Sequence, residues 1–174
     1  KCSHGANLLL NSNPKEVYKL ATELDHYNKE RKMLENDLLD KILTKIETQL
    51  NDPIIILKGE NWHEGVIGIV AARLKDKFNK PTIIISINGK IGKASARSIA
   101  GFDIGSAIIA ATQKKILIKG GGHKMAGGFS INISKIENFR EFIFNRYKNT
   151  ANNLNFQKPL YLDSKIAPSA INLE

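Results

Sequence analysis

Two short apolar runs rich in β-branched residues restrict the fold of this chain more than any other feature. Residues 54–57 read IIIL and residues 82–87 read TIIISI, with a segment of helical apolar spacing between them. Runs of this length and composition are typical of strands buried on both faces of a sheet. A buried strand, a helix and a second buried strand in succession predict an α/β domain.

Further signals extend this domain over residues 52–150. Asn88-Gly89 is a hairpin turn signal, so residues 90–97 are expected to run back antiparallel to the second strand. Asp103 is placed to cap a helix, and residues 129–133 and 134–148 are expected to form a strand and a closing amphipathic helix. Strands and helices therefore alternate, which predicts an α/β domain with a mixed sheet.

A long helix is predicted before this domain and a new unit after it. Asn13 and Pro14 have the signature of a helix start, and no glycine or further proline interrupts the helical spacing before Pro53. One helix of about 35 residues, or two nearly collinear ones, is expected, of the kind that connects domains. Residues 159–163 are expected to begin a further domain. Because the chain starts with Lys1 rather than Met, we also expect a fragment of a longer protein.

The net charge of +9 belongs to the central segment. Residues 51–150 carry 16 basic and 7 acidic side chains, whereas residues 1–50 carry 8 of each and residues 151–174 carry 2 of each. An excess confined to one segment indicates a phosphate-bearing partner for that segment. The alternative, a generally basic protein kept soluble by lysines, predicts an even spread of charge.

Composition argues against several classes of protein. No apolar run approaches the roughly 20 residues needed to cross a membrane, and no segment resembles a signal peptide, so we expect no membrane partner and a cytoplasmic protein. The one cysteine, Cys2, rules out an internal disulfide framework, and four scattered histidines with it make no metal cluster. The sequence therefore predicts no metal site in this chain.

Three consecutive glycines, Gly120, Gly121 and Gly122, precede His123 and Lys124. Because glycine loses more conformational freedom on folding than any other residue, a chain that keeps three is expected to need bare backbone against a partner. We predict that this partner is an anion held by backbone N–H groups at a helix start. The alternative is a loose surface turn.

The segment GKASARS (residues 92–98) predicts a second phosphate contact. On a strand, Lys93, Ser95 and Arg97 share one face because side chains alternate with a period of two. Two cations flanking a hydroxyl suit a phosphate, and arginine can bind it with two hydrogen bonds. The alternative is a solvated edge face. The segment is not a P-loop, because Ile87 occupies the position of the first glycine.

The segment GENWHEG (residues 59–65) links the first predicted strand to a helix start, where α/β sheets place ligands. Trp62 and His63 are its candidate binding residues. In the alternative interpretation, Trp62 fills the domain core and His63 is an exposed residue of the helix N-terminus. No zinc-protease motif or Ser/His/Asp order is found, so the chain is predicted to bind phosphate rather than to cleave.

Three motifs taken together resemble the DHH-associated domain of RecJ-type single-stranded-DNA exonucleases. They are WHEGVIGIVAARL (residues 62–74), GKASARS (residues 92–98) and GGGHKMAGG (residues 120–128), and they follow the family's order. Ala94 and Gly127 stand where many relatives are expected to have Gly and Ala, and both exchanges keep a tiny residue.

The resemblance implies three parts. Residues 1–51 are the tail of the DHH catalytic domain and a long connecting helix, and residues 52–150 are the DHH-associated α/β substrate-binding domain. Residues 151–174 are a linker and the first strand of an OB-fold domain.

The resemblance also implies a 5′→3′ exonuclease acting on single-stranded DNA in recombination and repair, with a single-strand-binding protein and a helicase as partners. Its Mn²⁺ or Mg²⁺ would be held by aspartates and histidines of the DHH domain, almost all upstream of Lys1, and a metal-bound hydroxide would attack the phosphodiester. Asp25-His26 lies within the predicted helix and is not the family's Asp-His-His motif. The fragment alone is expected to bind substrate without nuclease activity.

Residue roles follow from the same resemblance. Ser95 and Arg97 are expected to bind the 5′-terminal phosphate, and His123 is the expected catalytic residue, which orients or neutralises the scissile phosphate. The other expected substrate-binding residues are Trp62, His63, Lys93, Gly120, Gly121, Gly122 and Lys124.

Two other functions stay open. A phosphodiesterase of the same superfamily, acting on short oligoribonucleotides or cyclic dinucleotides, would also carry a Gly-Gly-Gly-His run but usually no OB-fold strand like the one expected at residues 159–163. A non-catalytic nucleic-acid-binding module, like the related domain of some tRNA synthetases, would show no preference for a 5′-phosphate. The sparse aromatic residues of the basic segment argue weakly against such a module.

Overall fold

The computed structural model describes residues 2–151 and 164–166. Two helices, α1 (Cys2–Leu10) and α2 (Pro14–Leu43), and a 3₁₀ helix (Ile46–Gln49) come first. They are followed by β1 (Ile55–Glu60), α3 (Glu64–Phe78), β2 (Thr82–Asn88), β3 (Ile91–Arg97), α4 (Ile104–Gln113), β4 (Lys119–His123), β5 (Ala126–Asn132), a 3₁₀ turn (Ile133–Lys135) and α5 (Ile136–Ala151). The strand predicted at residues 159–163 lies outside the described residues.

The strands form one sheet in the order β1-β2-β3-β5-β4. β1 and β2 are parallel and joined by α3, whereas all other neighbours are antiparallel. The β2–β3 hairpin turns through Gly89, whose φ of 60° is a left-handed conformation that glycine adopts without strain. The predicted mixed α/β fold and the antiparallel return after Asn88-Gly89 are both confirmed.

Helix starts follow the predicted capping residues. The Asn13 side chain accepts a hydrogen bond from the Lys15 N–H at 3.1 Å, and Asp103 Oδ1 accepts one from the Ser106 N–H at 2.9 Å. The predicted long helix is the 30-residue α2, about 45 Å at 1.5 Å per residue. Among the described residues, no helix is both long and apolar enough to cross a membrane.

Alternation along the strands divides the apolar residues between two cores. On one side, α4 and α5 pack on the sheet, where Phe129, Ile131 and Phe139 are buried together. On the other side, α2 and α3 pack on β1 and β2, where Ile55 and Ile84 are buried. The helices therefore cover more of the sheet on the α4 and α5 side than on the other.

A buried carboxylate joins α2 to α3. Glu35 is 1% exposed, its Oε2 accepts a hydrogen bond from Arg31 Nη1 at 2.6 Å, and its Oε1 lies 2.6 Å from Arg73 Nε of α3. The contact with Arg73 is a close ion pair without a well-aligned hydrogen bond. Leu38 and Ile42 are buried on the same stretch of α2. The long helix is thus attached to the domain through its C-terminal part.

Candidate functional site

Nine residues of β3, β5 and β4 form a surface that we call the open face, because no helix of the described residues covers the β5 and β4 part of it. Strand pairing aligns them in three rows, which are Lys93–Ser130–Lys119, Ser95–Gly128–Gly121 and Arg97–Ala126–His123. Since every second residue of a strand points to the same side, all nine lie on one face. Small residues occupy the middle strand, and the four corners are basic side chains.

A groove of about 580 Å³ lies between the open face and α3. Glu64 and Ile67, from the first turns of α3, line one side of it. The open-face residues that line it are Lys93, Ser95, Lys119, Gly128 and Ser130. The groove therefore combines two glycines, two hydroxyls and two lysines with the one carboxylate of Glu64, and its excess of cations suits a polyanionic ligand.

The predicted pair Ser95 and Arg97 meets in the structure. Arg97 Nη1 donates hydrogen bonds to Ser95 Oγ at 3.2 Å and to the Ala96 carbonyl at 2.9 Å. Gly68 of α3 permits this arrangement, since a Cβ there would lie 2.9 Å from Ser95 Oγ. In the described part of the chain, Arg97 forms no ion pair with a carboxylate. Its charge is therefore held by neutral groups and is available to an anion.

Lys93, in contrast, is paired. Its Nζ lies 2.9 Å from both carboxylate oxygens of Glu64, and both side chains are about half exposed. Lys119, at the other end of the same row, has no carboxylate partner within residues 2–151 and 164–166. The two lysines of this row thus differ in their electrostatic surroundings.

The glycine run is part of an edge strand, so the prediction that it lies at a helix start was wrong, whereas its contact with an anion stays a prediction. The run pairs with β5, which begins at Ala126, three residues earlier than expected. A Cβ on Gly120 would lie 2.7 Å from Ile108 Cγ2, and one on Gly122 would lie 2.3 Å from the Ala126 carbonyl oxygen. Of the three glycines of the run, Gly121 alone would have nothing within 4 Å of an added Cβ, so there the bare backbone meets open space.

His123 and Lys124 end the glycine strand and begin its turn. His123 is exposed, and its Nδ1 accepts a long hydrogen bond from the Met125 N–H at 3.4 Å. The Lys124 carbonyl accepts one from the Ile104 N–H at 3.3 Å, which ties the turn to the start of α4. The Ser106 backbone N–H, its hydroxyl and the Lys124 charge hold the pKa of the Asp103 carboxyl below its ordinary value. Lys124 lies in the turn, outside the nine residues of the open face.

The structure gives Trp62 and His63 packing and capping contacts. Trp62 is half-buried against the core between α2 and α3, and its indole covers Gly59, where a Cβ would lie 2.2 Å from ring atom Cε2. Ser86 Oγ donates a hydrogen bond to the Trp62 carbonyl at 2.6 Å. His63 Nδ1 accepts one from the Gly65 N–H at 3.1 Å and caps α3. Neither residue lines the groove.

Sequence reasoning did not single out Glu64, Lys119, Gly128 and Ser130, which the structure places in the groove. The alternation of side chains along β4 and β5 could have shown which residues of each strand share a face. It could not show that the two strands lie beside β3, because that depends on the order of strands in the sheet. Among the described residues, no three His, Cys, Asp or Glu side chains come together as a metal site.

Comparison with known proteins gives consistent matches. The DHHA1 domain model matches residues 51–149. RecJ of Bacillus subtilis (strain 168), a single-stranded-DNA-specific exonuclease, is 34% identical over 77% of this chain and 17% of its own length. RecJ of Haemophilus influenzae is 30% identical over 99% of this chain and 31% of its own length. The chain thus spans less than a third of either relative.

Solved structures of RecJ also resemble this chain. The Mg²⁺ complex of RecJ from Thermus thermophilus superposes with a TM-score of 0.73 at 28% identity, over 84% of this chain and 23% of that one. The Mn²⁺ complex of the same protein gives a TM-score of 0.74. These matches confirm the resemblance to RecJ-type DHH-associated domains that the three motifs indicated. The chain therefore belongs to the DHHA1 domain family.

Proposed function

We propose that the chain is the substrate-binding part of a single-stranded-DNA-specific 5′→3′ exonuclease of recombination and repair. The open face is the observation that carries this proposal. Its small central residues let a strand approach the backbone. Lys93, Lys119 and Arg97 at three of its corners supply cations, which contribute most of the sequence-independent affinity for nucleic acid. The names of the RecJ relatives, which specify single-stranded DNA, support the choice of ligand.

The 5′ end of the strand is proposed to bind at Arg97, Ser95 and His123. Arg97 and His123 stand in one row on either side of Ala126, so a phosphate above that residue comes within reach of both. A terminal phosphate carries more charge than an internal one, and arginine with a neighbouring hydroxyl suits it. His123, the proposed catalytic residue, orients or neutralises the scissile phosphate beside it.

We propose that the full-length protein uses Mg²⁺ or Mn²⁺, as the metal complexes of the Thermus relative suggest. The described residues do not fit such a site, since no three metal-ligating side chains meet. The ligands are therefore proposed to belong to the DHH domain. The contribution of this chain is to bind and orient phosphates, and alone it is expected to show no nuclease activity. A cytoplasmic location, a single-strand-binding protein and a helicase belong to the same proposal.

End-selective binding tests the proposal. The 174-residue chain is titrated into a single-stranded DNA oligomer labelled at its 3′ end, with either a 5′-phosphate or a 5′-hydroxyl, and fluorescence anisotropy is measured at two salt concentrations. The wild type is expected to bind the phosphorylated end more tightly. Arg97→Ala is expected to remove that preference, a loss of about tenfold, because a charge-assisted hydrogen bond pair is deleted.

Arg146→Ala is the matched control, since Arg146 is an exposed arginine of α5 on the covered side of the sheet. It is expected to keep the preference for the 5′-phosphate. Equal binding of both ends by the wild type, governed by salt alone, would contradict the 5′-phosphate assignment. That outcome would leave a general nucleic-acid-binding module.

A further inference from the structure

The row Lys93–Ser130–Lys119 lies at the end of the open face away from Arg97. We propose that this row binds an internal phosphodiester of the single strand, and that the Glu64 carboxylate takes the place of that phosphate when no nucleic acid is bound. The inference rests on the proposed function and extends it from the 5′ end to the body of the strand.

Ser130 is the first observation. It is 9% exposed, yet it lines the groove, and its hydroxyl makes no hydrogen bond with any described residue. The hydroxyl oxygen itself is not among the buried unpartnered atoms, so it meets the groove and is free to bond a water or a ligand there. Ser130 lies between two lysines in the register of the sheet, where a phosphate oxygen in the groove would accept its hydrogen bond.

The flanking lysines are the second observation. Lys93 and Lys119 pair with Ser130 from either side in the sheet, so all three side chains lie on the same face and line the same groove. Lys119 has no carboxylate partner in the described part of the chain. Two lysines and one hydroxyl around a shared point match a phosphodiester, which carries one negative charge and several acceptor oxygens.

Glu64 is the third observation. Its two oxygens lie 2.9 Å from Lys93 Nζ, so a carboxylate already occupies the anion position on one side of the row. Glu64 belongs to the first turn of α3, where the helix N-terminus favours a negative charge. Because exposed ion pairs contribute little stability, Lys93 can exchange this carboxylate for a phosphate at little cost. Glu64 therefore lowers affinity and limits how tightly the strand is held.

The row of Lys93 lies some distance along β3 from Arg97 at the proposed site of the 5′-phosphate. Lys93 and Arg97 are four residues apart on β3, about 13 Å at 3.3 Å per residue. One strand that runs along β3 reaches both sites with a few nucleotides between them. An effect at Lys93 and one at Arg97 can therefore be measured independently.

The salt dependence of binding tests the inference. Each variant of the 174-residue chain is titrated with a 5′-phosphorylated thymidine 12-mer, labelled at its 3′ end, over a series of salt concentrations. Glu64→Gln is expected to bind several-fold more tightly with an unchanged slope of log K against log salt, because Lys93 contacts the same phosphate in both proteins and only the competing carboxylate is removed. Lys119→Gln is expected to bind more weakly with a slope shallower by about 0.7. Ser130→Ala is expected to weaken binding without a change of slope.

Two controls on α5 change the net charge by the same amounts on the covered side of the sheet. Glu141 and Lys148 are both exposed there. Glu141→Gln is expected to lack the several-fold gain in affinity of Glu64→Gln, and Lys148→Gln is expected to lack the change of slope of Lys119→Gln. Thermal unfolding of every variant identifies any that lose the fold.

The outcomes separate the two proposals. If Glu64→Gln behaves like Glu141→Gln while Arg97→Ala still loses the 5′-phosphate preference, the internal site is wrong and the proposed function stands. If neither the wild type nor Glu64→Gln binds the 12-mer, both proposals are wrong.

Discussion

The two sides of strands β3 and β5 are built from the same stretches of chain and have opposite character. Phe129 and Ile131 of β5 are buried against α4 and α5, whereas Gly128 and Ser130, between and beside them, line the groove. The period of two lets one set of residues hold the fold and the other contact a ligand. Substitutions on the two sides should therefore separate stability from binding.

The largest effect is expected on the covered side. Phe139 of α5 is fully buried, with its ring centroid 4.7 Å from that of Phe129. Phe139→Ala is expected to lower the free energy of unfolding by about 3–5 kcal/mol, because it removes apolar contacts and leaves a cavity. Urea denaturation measures this change. The folded fraction is expected to keep the wild-type preference for a 5′-phosphate, and a loss of under about 1 kcal/mol would show that the core is less well packed than described.

Two neighbouring glycines give a sharper comparison. A Cβ on Gly122 meets backbone atoms of Ala126 and Gly127 at 2.3 and 2.5 Å, whereas one on Gly121 meets nothing within 4 Å. Gly122→Ala is expected to destabilise the fold by about 1–3 kcal/mol. Gly121→Ala is expected to change stability by no more than about 1 kcal/mol, because the new methyl group clashes with nothing.

DNA binding is expected to respond more to Gly121→Ala than its small effect on stability would suggest. The methyl group of Gly121→Ala stands on the open face, so it is expected to weaken single-stranded DNA binding while the thermal unfolding curve stays near that of the wild type. Anisotropy and thermal unfolding of both variants are the measurements. Unchanged DNA binding by Gly121→Ala would argue that the strand does not approach the glycine backbone.

The smallest effect is expected at the N-cap of α4, Asp103. The start of this helix is bonded to the turn between β4 and β5. The pKa of Asp103 is lowered in the fold, so its carboxylate contributes stability above the unfolded-state pKa, and this contribution is lost as the pH falls through the folded value. Asp103→Ala is expected to cost about 1 kcal/mol at neutral pH, as measured by urea denaturation.

Asp103→Asn separates the cap from the charge. Asparagine is also a good N-cap, so this variant is expected to be near the wild type at neutral pH and to lose less stability between about pH 5 and acid, where only the wild-type carboxylate takes up a proton. Urea denaturation at several pH values checks this. Equal acid sensitivity of Asp103→Asn and wild type would show that other carboxylates dominate.

Features with local causes could be predicted from the sequence. The buried runs at residues 54–57 and 82–87, the caps Asn13 and Asp103 and the turn after Asn88 depend on neighbouring residues alone. Ser95 and Arg97 could be placed on one face because a single strand carries both. The structure shows each of these.

Features that depend on the pairing of distant strands could not be predicted from the sequence. The glycine run has no side chains to give a strand pattern and a low intrinsic strand propensity, so only its pairing with β5 makes it a strand. Ser130 faces Lys93 because β5 pairs with β3 across an intervening helix and strand, an order that no local signal specifies. Trp62 was expected near the ligand, but its packing on Gly59 depends on how the loop folds back.

The attachment of α2 has a mechanical consequence. Glu35 fixes the helix near its C-terminal end, and Pro14 begins it about 30 Å away along the axis. A rotation of about 5° at the Glu35–Arg73 contact would therefore carry the far end through about 3 Å, the length of a hydrogen bond. The buried contacts of Glu35 with Arg73 and of Leu38 and Ile42 with the core therefore set how accurately the start of the helix is aligned with the open face.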